Sequence, residues 1–243
     1  MRKIIIPIFL VLTFLCSCSE KSETAVDWFN KAEALRNEGK YTDPEKAIAY
    51  LNNAIKLRPD LEVAYGNRGV AYFNLGQKQR AIEDFNKAIR LKPDYADAYN
   101  NRGTVYNDLG QYQRAIEDFN EVIRLKPDYA NAYNNRGLAY DDLGQKQRTI
   151  EDYNEAIRLQ PNHVMAYHNR GLVYNDLGQY QRAIEDYSEA IRLKPDYADA
   201  YNNRAVTYIG QGNNELGCRD AQKACELRNC RLLEYLKGRG VCR

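Results

Sequence analysis

The sequence predicts an all-α solenoid of about six antiparallel two-helix units, closed by a short C-terminal capping helix. Three observations carry this reading. Pro59, Pro93, Pro127, Pro161 and Pro195 stand 34 residues apart. Gly76, Gly110, Gly144, Gly178 and Gly212 keep the same period. The segment GTVYNDLGQYQRAIEDFNEVIRLKPDYANAYNNR returns 68 residues later as GLVYNDLGQYQRAIEDYSEAIRLKPDYADAYNNR. A fixed period of this length marks stacked repeats that share one continuous core.

The unit from Ala96 to Tyr129 shows how each element arises. Tyr99, Gly103, Tyr106 and Gly110 fall at +4, +7 and +11, one face of a first helix. Gly110 tolerates the left-handed residue that ends it. Ala115, Phe119, Val122 and Ile123 mark a second helix, which ends at Lys126-Pro127 because proline disfavours helical geometry in the residue before it. Asp128 is expected to cap the next helix. Gly69, Gly103, Gly137 and Gly171 on the first helices, with Ala81, Ala115 and Ala183 on the second, let the two backbones approach. Thr149 stands where neighbouring units have alanine, which is expected to loosen one crossing slightly.

These columns resemble the tetratricopeptide repeat, over residues 25–231. The units run 25–61, 62–95, 96–129, 130–163, 164–197 and 198–231, with residues 232–243 as cap and tail. The first unit carries Trp28, has Ala32 for glycine, and lengthens its internal turn around Thr42-Asp43-Pro44. The last keeps Tyr201 and Tyr208 but has Ala205 for glycine and lacks the closing proline. Atypical ends suit units that must seal a stack against water. The resemblance implies a right-handed solenoid whose first helices line a concave groove that holds peptides. On that face lie Asn100, Asn101, Thr104, Asn107 and Asp108. The next two units present Asn134, Asn135, Leu138, Asp141 and Asp142, then Met165, His168, Asn169, Leu172, Asn175 and Asp176.

One asparagine recurs per unit: Asn67, Asn101, Asn135, Asn169 and Asn203, with Asn202 beside the last. An amide both donates and accepts, so a regular row can pair with the backbone of an extended chain. A similar ladder holds peptide main chain in the repeat domain of O-GlcNAc transferase. The bland reading is a solvated helix face repeated because the units are copies. Asparagine is a mediocre helix former, and its recurrence favours a binding role. Asp108, Asp142 and Asp176 are expected to favour neutral or basic partner segments. The carboxylate clamp of chaperone-binding tetratricopeptide domains needs lysines and arginines in this groove, and none is found there, which argues against capture of an acidic C-terminus. Arg68, Arg102, Arg136, Arg170 and Arg204 are expected to pair with the Glu-Asp column of the second helices, Glu117-Asp118 and its equivalents, at modest value if exposed.

The rest of the chain bounds function. Arg2-Lys3 followed by the apolar run Ile4 to Leu15 reads as an export signal, too short to span a bilayer. Leu15-Cys16-Ser17-Cys18 resembles a bacterial lipoprotein box, so residues 1–18 are expected to be a signal peptide, Cys18 the lipidated (palmitate-bearing) residue, and 19–24 a linker. That layout implies a chain anchored by lipid alone, at the periplasmic face of the outer membrane if the source is Gram-negative. An ordinary secretory signal or a hydrophobic tail is the alternative. Lysine plus arginine number 35 against 33 acidic residues, and without Arg2 and Lys3 the charges balance. Balance of this kind gives no support to a nucleic-acid partner.

Four cysteines remain, Cys218, Cys225, Cys230 and Cys242, and an even number suits two disulfides in an oxidising compartment. Cys218 and Cys225 share a helix face, and a last helix over 231–237 must fold back. Nested pairing, Cys225 with Cys230 and Cys218 with Cys242, is therefore favoured among three connectivities. Without CxxC or a nearby histidine, a zinc site is disfavoured. His163 and His168, five apart across a helix start, do not have helical metal-pair spacing. The tyrosine columns are expected to be core, not a stacking surface. No nucleophile elbow, phosphate loop or metal cluster is present, so the chain is read as a non-enzymatic protein-binding scaffold without a cofactor. The rivals are a repeat subunit of a glycosyltransferase-like or cell-wall enzyme, and a self-associating envelope protein.

Overall fold

The computed structural model describes residues 23–242, so the predicted leader, Cys18 and most of the 19–24 linker lie outside the described residues. Twelve helices run in six antiparallel pairs, called A and B within each unit. They are α1 (Ala25–Glu33) with α2 (Pro44–Leu57), α3 (Glu62–Asn74) with α4 (Lys78–Leu91), and α5 (Ala96–Asp108) with α6 (Tyr112–Leu125). Then follow α7 (Ala130–Asp142) with α8 (Lys146–Leu159), α9 (Val164–Asp176) with α10 (Tyr180–Leu193), and α11 (Ala198–Gly210) with α12 (Asn214–Glu226). A final helix, α13 (Arg231–Gly238), packs on α12. The extra residues of the first unit form a hairpin instead of a plain longer turn. Strands β1 (Arg36–Asn37) and β2 (Lys40–Tyr41) pair antiparallel around Glu38 and Gly39, both at positive φ.

Each regular A helix ends as the glycine comb predicts. At Gly110, φ is 71°; its N–H donates to Asn107 O and that of Gln111 to Tyr106 O, satisfying carbonyls of the last turn. The helix starts differ from expectation. Asp128 is not a cap: the N-cap of α7 is Tyr129, without a side-chain bond. The chain needs two more residues after Pro127 to turn, and backbone bonds close that turn, Tyr129 N–H to Lys126 O and Ala132 N–H to Tyr129 O. Among A helices only α1, capped by Thr24 in a reciprocal box with Asp27, and α9, capped by His163 Nδ1, have side-chain caps.

The core runs the length of the stack between A and B helices, and each regular crossing closes on a glycine. A Cβ at Gly103 would stand 2.8 Å from Phe119 Cε1, and one at Gly137 2.8 Å from Tyr153 Cε1. Tyr153 and Tyr187 are 1% exposed, so at these positions the tyrosine columns are packing residues. The end units change both partners together. Ala32 stands in the glycine column with Leu51 in the aromatic one, and Ala205 with Ala221, all of them fully buried. Shrinking the ring makes room for the methyl. Thr149 is accommodated without a gap, buried with its Oγ1 donating to Gln145 O at 3.1 Å.

The arginine column is more deeply built in than the sequence suggested. Arg136 Nε and Nη2 donate to Asp152 at 2.8 and 2.6 Å, and Nη1 donates to Asn120 Oδ1, on the B helix of the preceding unit, at 2.7 Å. Arg68, Arg102, Arg170 and Arg204 repeat this with Asp84, Asp118, Asp186 and Asp220. The aspartate alone, not the adjacent glutamate, is the partner. The guanidinium lies between two tyrosine rings of its own helix, Tyr133 and Tyr140 for Arg136. At the C-terminus the disulfides Cys218–Cys242 and Cys225–Cys230 hold α13 to α12, and Leu233 and Leu236 fill the space between.

Candidate functional site

Successive A helices pack on each other more closely than successive B helices do, so the stack bends toward the A side and that side is concave. The asparagine ladder lies here, but its amides are largely turned toward one another. Asn135 Nδ2 donates to Asn100 Oδ1 at 3.2 Å, and Asn169 Nδ2 to Asn134 Oδ1 at 3.2 Å. Asn203 Nδ2 donates to His168 Nε2 at 2.8 Å. Asn135, Asn169 and Asn203 therefore each bond to the side chain just before the ladder position in the preceding unit. Asn67 Nδ2 donates instead to Glu33 Oε1 at 2.9 Å, a residue one turn further along α1, in the column of Val70. Asn67, Asn134, His168 and Asn169 are buried, whereas Asn101, Asn135, Asn202 and Asn203 are half-buried. The ladder thus fixes register between units before it can meet a partner.

Two places break this relay. Gly66 stands where its counterparts are Asn100, Asn134, His168 and Asn202, so Asn101 has no side chain to donate to. A polar cavity of about 250 Å³ opens there, lined among others by Arg36, Asn67, Tyr95 and Asn101. At the other end, Asn202 has no seventh unit after it, and its Oδ1 is buried without a hydrogen-bond partner. Asn107 Oδ1 is likewise unpartnered, while Asn175 Oδ1 accepts from Thr207 Oγ1 at 2.9 Å.

The charges of the face are also arranged across units. Asp108 pairs with Lys78 at 2.5 Å, and Lys146 bridges Asp141 at 2.9 Å and Asp176 at 3.0 Å. Asp97 meets Lys126 at 3.1 Å. These lysines come from the B helices and the inter-unit turns. The expectation of a groove without lysine therefore fails: Lys78 and Lys146, two periods apart, reach its aspartates from outside the A-helix stripe. Of the three aspartates expected to set an acidic groove, only Asp142 makes no direct ion pair; burial and the neighbouring Asp141 push its carboxyl up, against the opposing pull of Asn107 and Lys146. The basis for a bias toward basic segments is correspondingly reduced.

His168 is 7% exposed, between Tyr187 and Tyr197. With Nε2 accepting from Asn203, its proton sits on Nδ1, 3.2 Å from Tyr197 Oη. His163 caps α9 and reaches Asn131 Oδ1 at 3.0 Å. Burial lowers the pKa of both imidazoles. Among the described residues no cluster of three or more His, Cys, Asp or Glu could hold a metal ion.

What the concave face leaves exposed is apolar toward its C-terminal half. The column Val70, Thr104, Leu138, Leu172, Val206 passes from buried valine to a leucine 37% and a valine 49% exposed, with Met165 at 45% nearby in sequence. Beyond Val206 a cleft of about 750 Å³ opens between α11 and α13, and Asn202, Asn203, Leu232 and Tyr235 help to line it.

Tetratricopeptide repeat models match residues 27–61, 63–95, 85–117, 130–163, 152–185 and 198–229, and a TPR repeat model matches 103–144 and 171–212. A crystal structure of MamA is similar with a TM-score of 0.60, at 29% identity over 67% of this chain and 95% of that one. The type IV pilus biogenesis factor PilW is similar with a TM-score of 0.78, at 20% identity over 87% and 97%. YrrB, a TPR protein with an unusual peptide-binding site, gives 0.59 at 23% identity over 77% and 97%. The last two likenesses concern the fold alone. A comparison with curated proteins returns no match. With repeat matches running through all six helix pairs, the chain belongs to the tetratricopeptide repeat family.

Proposed function

We propose that the protein is a non-catalytic interaction scaffold whose concave face receives an extended segment of a partner protein. The observation that carries this is the exposed column Leu172 and Val206 on a face otherwise made of amides and paired charges. Apolar side chains on a concave surface are stabilised when a partner removes them from water. The half-buried amides Asn101, Asn135 and Asn203 flank the column and can bond the main chain of such a segment through N–H groups the relay leaves free. In this reading the ladder has two roles, holding units in register and presenting polar edges. Because Lys78, Lys126 and Lys146 neutralise most groove aspartates, the segment is neutral or of mixed charge. We also propose that the chain is exported and held by lipid at Cys18, with the groove facing the envelope space; the twelve-residue apolar leader and the Leu-Cys-Ser-Cys run support this.

The test is a photoreactive residue in place of Leu172 in the full chain, with the same residue at exposed Glu117 on a B helix as comparison. Crosslinking from 172 to one protein, abolished by Leu138→Asp, is the expected outcome. Equal capture from both positions would refute a concave site. Incorporation of labelled fatty acid, lost in Cys18→Ser, tests the anchor.

A further inference from the structure

We propose that the cleft between α11 and α13 is the terminal anchor site of the groove, receiving one bulky apolar side chain of the bound segment while that residue's backbone N–H donates to Asn202 Oδ1. The inference rests on the groove reading and names what the segment must carry. Its first support is the end of the amide relay. Asn100, Asn134 and His168 each accept from the ladder asparagine of the next unit. Asn202 occupies the same column, but α13 stands where the next A helix would be and brings no amide to it. A buried acceptor without a partner is unfavourable, and a donor placed there by a ligand removes that penalty. The terminal torsion of asparagine is broad, so its carbonyl can turn toward the cleft at little cost.

The second support is the apolar wall. Val206 is 49% and Tyr235 60% exposed, and both line the cleft with Leu232. They belong to separate elements that converge only because α13 folds back. That fold-back is fixed independently of any ligand, by Cys225–Cys230, Cys218–Cys242 and the buried Leu233 and Leu236. The cleft is therefore preformed, which lowers the ordering cost of binding. It continues the Leu138, Leu172, Val206 column, so a chain lying along the groove arrives there. The cleft carries one acid, Asp199, engaged by Asn229 Nδ2 at 3.0 Å, and one base, Arg231, so its formal charges balance and an uncharged anchor suits it.

The test is selection of displayed random decapeptides on the oxidised full chain, followed by affinity measurement with the enriched peptides. Enrichment of a leucine, isoleucine or phenylalanine is expected, with binding weakened roughly tenfold or more by Val206→Asp. N-methylation of that anchor residue should weaken binding to the native chain and leave binding to Asn202→Leu unchanged. Peptides that bind equally well to Val206→Asp but lose affinity for Leu138→Asp would overturn the anchor site and leave the groove reading standing. Failure to enrich any peptide would overturn both. A concentration-dependent doubling of mass by light scattering, abolished by Val206→Asp, would assign the cleft to a second copy and equally overturn the proposal.

Discussion

The buried Arg136–Asp152 pair offers the sharpest test of how the stack is held. Arg136 makes three hydrogen bonds, two to Asp152 and one to Asn120, and the two side chains are 19% and 7% exposed. Burial pushes the Asp152 carboxyl up while the guanidinium pulls it down, so the pair offsets a desolvation cost instead of adding a large net gain. Truncating one partner removes the offset and keeps the cost. Arg136→Met is therefore expected to destabilise by about 3 kcal/mol, the low end for a buried pair because the arginine keeps some solvent. Asp152→Leu should cost a similar amount, leaving the guanidinium without its carboxylate. The double variant Arg136→Met/Asp152→Leu should fall within about 1 kcal/mol of the native protein, since both charges leave together. Asn120 is exposed and regains water when the arginine is gone. The assay is urea unfolding of all four chains, with amide exchange to locate the loss. Because repeats couple mainly to neighbours, protection should fall first in α6, α7 and α8. Additive single effects, or a single variant within about 0.5 kcal/mol of native, would refute this account.

Three further outcomes follow from the same packing. Gly137→Ala should cost about 1–3 kcal/mol by thermal unfolding, because its methyl would meet Tyr153, and the cost should shrink in a Tyr153→Leu background, which copies the Ala32 and Leu51 arrangement of the first unit. The oxidised protein should show no free thiol among Cys218, Cys225, Cys230 and Cys242; Cys218→Ser/Cys242→Ser should lower the stability of the last unit by about 3 kcal/mol and speed proteolysis at α13. His168 and His163 have pKa values lowered by burial, so the folded state binds fewer protons than the unfolded chain in mild acid. Stability should hold above the unfolded value near 6.5 and fall as pH drops through the folded values, and His168→Asn, which copies Asn134, should flatten part of that fall in denaturation measured from pH 8 to 5.

The sequence made the solenoid legible because its information is periodic. A glycine at position 110 and another at 144 report the same left-handed turn, so five copies remove the ambiguity of one. The disulfide pairing was legible because Cys218 and Cys225 share a face of one helix and the tail must return past it. What the sequence hid is where a polar face points. Helical spacing puts Asn100, Asn101, Asn134 and Asn135 on one stripe, but it does not say that residue 135 of one helix reaches residue 100 of the next. That contact depends on the rotation between units, a tertiary quantity without a local signature. Asp128 misled for a different reason. Its residue type suits a cap, yet the turn after proline runs on to Tyr129 before helical geometry begins. The groove lysines escaped because they belong to B helices and turns.

The two polar relays also determine how the groove can move. On the B side every junction from α2 to α11 is tied by an arginine reaching back to Asn52, Asn86, Asn120, Asn154 or Ser188, at 2.5 to 2.8 Å. On the A side, amide bonds tie α1 to α3, α5 to α7, α7 to α9 and α9 to α11. Only α3 to α5 lacks one, because Gly66 offers Asn101 nothing to bond; the Tyr95 ring lies there instead, 3.1 Å from where a Cβ would be. A junction with an amide tie on the A side as well resists both bending and twisting, whereas this one has on its groove side the part-exposed Lys78–Asp108 pair, a weaker link, and can open toward the groove with less loss. The four units after α4 therefore form a stiff trough ending at the disulfide-held cap, and the first two can adjust against it. Rigid walls lower the entropy lost on binding, and an adjustable entrance lets a chain enter from one end without disturbing the register that keeps Leu138, Leu172 and Val206 in line.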